Sequence, residues 1–92
     1  MHTPSSAGSL ESCDILILAA PSGKSGIHIT LESDVAARYG KAIREQVMTL
    51  LHERDISDIE LILKDKGALE CVIKARLLTA LARGGWIEEA HI

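Results

Sequence analysis

The residue in this chain best suited to chemistry is a serine. Ser12 sits in Gly8-Ser9-Leu10-Glu11-Ser12-Cys13-Asp14, just before the aliphatic run Ile15-Leu16-Ile17-Leu18. A serine that attacks a substrate needs a base, a third group to orient that base, and a preorganised oxyanion site. The histidines are His2, His28, His52 and His91, and no local spacing couples one of them to Ser12. Acidic residues flank Ser12 instead, Glu11 before it and Asp14 after it. That setting suits a serine modified by another enzyme better than one that reacts on its own account. A second distinctive block lies far downstream, Asp65-Lys66-Gly67-Ala68-Leu69-Glu70-Cys71-Val72-Ile73-Lys74-Ala75-Arg76-Leu77. There Lys66 precedes the free N–H groups of a helix start. That combination holds phosphate if a phosphate-bearing group is attached nearby. By itself, the basic set Lys64, Lys66, Lys74, Arg76 and Arg83 reads as a solvated surface, with Glu70 and Lys74 as an i,i+4 pair.

Other combinations carry less. Gly23-Lys24-Ser25 follows a strand, but a phosphate loop needs a glycine five positions before Gly23, and Leu18 stands there. A strand rather than a helix follows it, so it reads as a polar turn. No histidines or cysteines stand at metal-ligand spacing. Cys13 and Cys71 are read as reduced residues in or near the core, not as a disulfide framework.

These residues must be positioned by a small fold. Ninety-two residues make one domain, and 47% of them are hydrophobic, enough for a core. That core is aliphatic, since Tyr39 and Trp86 are the only aromatics. A net charge of −3 and the scarcity of aromatics argue against nucleic acid as partner. The run Ile15–Ala20 is too short to span a bilayer, and no basic residue precedes it as in a signal peptide. The expectation is a cytoplasmic protein with no membrane partner.

Residues 1–11 read as a flexible, polar N-terminal arm. A strand is expected at about 13–20, apolar on both faces and therefore central. After the turn Pro21–Gly26, Ile27-His28-Ile29-Thr30-Leu31 alternates as a strand, which suggests a hairpin with a six-residue loop. Ser33 is a candidate N-cap, with Asp34 at the positive end of a helix dipole, for a helix over about 34–53. Asp58–Lys64 reads as a third strand. A last helix spans about 67–83 and is ended by Gly84-Gly85. The expected fold is α+β, a small single domain in ββαβα order, with a three-stranded sheet packed by two helices on one face. Its domain covers 12–85, and 86–92 form a C-terminal tail.

The chain resembles the acyl carrier (gamma) subunit of citrate lyase. The likeness rests on Ala7–Asp14, on Ser33-Asp34-Val35 with Tyr39–Arg44, and on Asp65–Leu77 with Leu81-Ala82-Arg83. The resemblance implies that Ser12 carries triphosphoribosyl-dephospho-coenzyme A, attached covalently through a phosphodiester, which supplies the nearby phosphate that the reading of Lys66 as a phosphate contact requires. It implies a non-catalytic subunit, with no catalytic residue and no metal of its own. The group's thiol would hold acetyl and citryl thioesters while citrate is cleaved to acetate and oxaloacetate. The partners implied are an alpha acyl transferase subunit, a beta citryl lyase subunit and a prosthetic-group transferase, for which Glu11 and Asp14 would serve as recognition flanks. Cys13 departs from the pattern, since a small residue such as Gly or Ser is expected there. The alternatives are a carrier for citramalate lyase or malonate decarboxylase, an interaction domain without a prosthetic group, and a small hydrolase using Ser12.

Overall fold

The computed structural model describes residues 2–33 and 36–88. Its elements are β1 (Ser5–Gly8), β2 (Ile15–Ala20), β3 (Ile27–Ser33), α1 (Ala36–Glu53), β4 (Ile59–Asp65) and α2 (Glu70–Arg83). The order is therefore βββαβα, and the sheet has four strands in the order β1-β2-β4-β3. This corrects the expected three-stranded ββαβα sheet.

The additional strand comes from the segment read as an arm. Ser5-Ser6-Ala7-Gly8 has no aliphatic periodicity, so nothing local marks it as a strand. Tertiary contacts make it one. It pairs antiparallel with β2, and Ala7 is buried against the core. The Ser5 hydroxyl donates to the Ala80 carbonyl at 2.6 Å, and the Thr3 N–H donates to the Gly84 carbonyl at 3.0 Å. His2 stacks on Trp86 with ring centroids 4.7 Å apart.

The hairpin expected between β2 and β3 does not form. β4 lies between them, antiparallel to β2 and parallel to β3. Burial explains this order. Ile59, Leu61 and Leu63 of β4 are fully buried, and Ile62 on its other face is half-buried. β3 exposes His28, Thr30 and Glu32, which suits a sheet edge. The loop 21–26 therefore bridges two strand spacings, about 10 Å, well within the reach of six residues. It is pinned to the start of β4, where Gly26 N–H donates to Asp58 Oδ1 at 2.6 Å and Ile59 N–H donates to the Gly26 carbonyl at 3.2 Å.

Both helices pack on the face carrying Ile15, Ile17, Ala19, Ile59, Leu61 and Leu63, and one continuous core includes Val47, Leu51, Leu77 and Leu81. Each sheet edge has a carbonyl covered by arginine. Arg83 Nη1 donates to Ser6 O at 2.9 Å, and Arg44 Nη1 donates to Ile29 O at 3.0 Å. Ser33 is the last residue of β3, and its hydroxyl donates to Asp65 Oδ2 at 2.9 Å. Asp34 and Val35 lie outside the described residues, as do 89–92 of the expected tail. Gly67 has φ +89, which is incompatible with helix, so α2 starts at Glu70. Cys13 and Cys71 are both exposed free thiols, contrary to the expectation of a place in or near the core.

Candidate functional site

Ser12 is exposed on the β1–β2 connection. The Asp14 N–H donates to the Glu11 carbonyl at 3.2 Å, which closes a β-turn with Ser12 and Cys13 at its centre. Cys13 takes φ +65, the left-handed region that a glycine would occupy without Cβ strain. The turn thus gives a physical reason to expect a small residue at position 13. No hydrogen bond to the Ser12 side chain occurs among the described residues, so its hydroxyl is presented to solvent.

Two sets of contacts hold this turn, and a third fixes the β4–α2 turn beside it. Arg76 on α2 grips Asp14 in a two-pronged pair, Nε to Oδ1 at 3.0 Å and Nη2 to Oδ2 at 2.9 Å. The same carboxylate accepts the Ser9 hydroxyl at 2.7 Å and the Ile15 N–H at 2.7 Å. Its side chain is only 13% exposed. The Arg76 guanidinium foremost, then Ser9 and the Ile15 N–H, hold the Asp14 carboxyl at about 2, below its ordinary 3.8. Asp14 is therefore a scaffold residue, which leaves Glu11 as the exposed acid beside Ser12.

The second set extends the β2–β4 ladder. Cys13 N–H donates to the Lys66 carbonyl at 2.8 Å, and Lys66 N–H donates to the Asp14 carbonyl at 2.9 Å. This places Lys66 beside the Ser12 turn, as the two sequence blocks require if they form one site. Buried Asp65 supplies the third set. It accepts the Ala68 N–H at 3.0 Å and the Ser33 hydroxyl at 2.9 Å, tying the β4–α2 turn to the end of β3. Gly8 completes the hairpin. A Cβ there would lie 1.8 Å from the Ile15 carbonyl oxygen, so only glycine allows this approach.

The structure brings the two residues singled out in the sequence, Ser12 and Lys66, to adjacent turns, whereas Arg76 and Asp65 were not foreseen as the residues that position those turns. Arg76 had been grouped with a solvated basic surface. A signal was available, because Asp14 directly precedes a strand buried on one face and needs a partner there. His28 is exposed and meets the Ser25 carbonyl, and His52 lies in the last turn of α1. No metal-holding group occurs among the described residues, and no described helix is long and apolar enough to cross a membrane.

Comparison with known proteins fits this geometry. Homoserine kinase from Cytophaga hutchinsonii shares the fold, with a TM-score of 0.54, 19% identity and coverage of 89% of this chain. The chain spans 33% of that larger protein, and the likeness is one of fold alone. A family model described as ACP, malonate decarboxylase delta subunit (MdcD), matches residues 2–84. A compact α+β domain that offers a serine on a braced turn, matched by that model, is an acyl carrier protein. The citrate lyase acyl carrier protein of Yersinia enterocolitica is 44% identical over 77 residues, covering 84% of this chain and 79% of its own. That of Lactiplantibacillus plantarum is 46% identical over 83 residues, covering 90% and 85%. That of Vibrio cholerae is 41% identical over 80 residues, covering 87% and 82%. The chain belongs to the citrate lyase acyl carrier protein family.

Proposed function

We propose that this chain is the acyl carrier subunit of a citrate lyase and that Ser12 is its attachment residue. The observation that carries the site assignment is the exposed Ser12 hydroxyl, on a turn braced from α2 and β4. The residues around it fit a phosphate-linked group such as triphosphoribosyl-dephospho-coenzyme A. The serine oxygen is accessible, Lys66 stands beside the turn, and of the two flanking acids Asp14 is already paired with Arg76 while Glu11 is exposed to solvent.

In loading, Ser12 Oγ forms the new bond to the innermost phosphorus of the triphosphate, and diphosphate leaves. The serine proton passes to a base of the prosthetic-group transferase. When bound, the group supplies the thiol that holds acetyl and citryl thioesters during cleavage of citrate to acetate and oxaloacetate. Chemistry at the thioester belongs to the alpha and beta subunits. This chain's contribution is a rigid tether that raises the effective concentration of the bound substrate at each active site. Lys66 is assigned as a phosphate contact. The proposed setting is the cytoplasm, where the transferase and the lyase subunits meet the carrier.

The test is a lyase complex reconstituted with alpha and beta subunits and carrier loaded by the transferase. The Ser12→Ala carrier folds as the wild type does and supports no citrate cleavage. Cleavage retained by that variant would overturn the assignment.

A further inference from the structure

Two clefts among the described residues differ in charge and in their distance along the fold from Ser12. The larger, about 800 Å³, lies between α1 and α2. Glu45, Glu53 and Glu70 line it, with Lys74 as its cation. The smaller, about 600 Å³, lies at the ends of β3 and β4, and its walls include Leu10, Glu32, Lys64 and Lys66. That volume is in the range of small-molecule sites, ~300–1,000 Å³. Its other acid, Asp65, is buried and engaged with Ser33 and Ala68.

We propose that the smaller cleft is a docking site for the phosphate-bearing nucleotide end of the group attached at Ser12, with Lys64 and Lys66 as its cationic partners. The proposal rests on the carrier reading and deepens it. Leu10 is two residues from Ser12, and the Lys66 backbone is bonded to Cys13 and Asp14. A group leaving Ser12 therefore starts at the lip of this cleft. Lys64 meets Glu32 at 3.8 Å, with side chains 40% and 65% exposed. A long, solvated pair of this kind is weak, so Lys64 is available to a dianionic ligand. Leu10 is 54% exposed and offers the apolar surface a nucleoside needs. The acidic interhelical cleft repels the same ligand. Tethering fills even a weak site, since attachment supplies millimolar effective concentration. Docking then fixes the base of the arm and leaves only its thiol end to sweep between enzymes.

The test uses the full, unmodified chain titrated with free dephospho-coenzyme A, followed by backbone amide shifts, with pantetheine as the phosphate-free control. Saturable shifts are expected at Leu10–Cys13, Glu32 and Lys64–Lys66 with dephospho-coenzyme A and not with pantetheine. Lys64→Ala with Lys66→Ala weakens binding about tenfold, while Glu32→Gln tightens it by freeing Lys64. A merely structural role for the lysines predicts no such tightening. Shifts confined to the interhelical cleft, equal binding by the double variant, or no saturable shift would overturn the proposal. Mass gain at Ser12 with the transferase reads the carrier assignment separately. Attachment without cleft shifts removes only the docking site, and cleft shifts without attachment remove the carrier assignment and with it the tethered occupant, leaving a site for a free nucleotide.

Discussion

Asp14 and Arg76 show how a residue beside a modification site can serve it without touching the modifying chemistry. Their pair joins positions 62 apart in the chain and fixes the exit of the Ser12 turn against α2. Because folding lowers the Asp14 carboxyl to about 2, the folded state binds the proton less readily than the unfolded state does. The stability this confers is complete above about pH 4 and is lost as pH falls from about 4 toward 2. Asp14→Asn lacks that contribution at neutral pH, and its stability declines less steeply than wild type over the acid range. Urea midpoints measured from neutral pH down to the acid limb check this. Parallel curves for the two proteins would show that the pair contributes nothing. The exposure of Ser12 was foreseeable from its polar setting, but the pairing of Asp14 with Arg76 was not, because the partner is distant in sequence.

At the scale of elements, aliphatic periodicity revealed β2, β3, β4 and both helices to within a few residues. β1 was hidden because its residues are small and polar and gain order only from α2 and β2. The sheet order was hidden too. Short spacing between β2 and β3 suggested a hairpin, whereas the greater burial of β4 places it between them. The domain boundary expected at residue 12 can be tested directly. Deleting residues 2–8 uncovers the edge of β2, removes the contact with Gly84 and unstacks His2 from Trp86. The expected cost is about 2 kcal/mol or more, with a red shift in emission from Trp86, the only tryptophan. An unchanged midpoint and emission would place the start of the stable domain at β2.

For the whole molecule, the sheet and helices converge on one end, where the Ser12 turn, the β4–α2 turn and the ends of β3 and β4 meet. The two sequence blocks that carried the family likeness lie side by side there. Residue types were enough to single out both blocks and to suggest that they form one site. The brace was not legible, because Asp65, Ser33 and Arg76 join elements whose neighbours depend on sheet order. The central claim is that this rigid domain exists to present one serine for loading. Intact mass after coexpression with a citrate lyase prosthetic-group transferase tests it most directly. The account predicts a single addition matching the phosphoribosyl-dephospho-coenzyme A group, absent from Ser12→Ala. No addition, with the transferase active on another carrier of the family, or an addition that persists in Ser12→Ala, would contradict it.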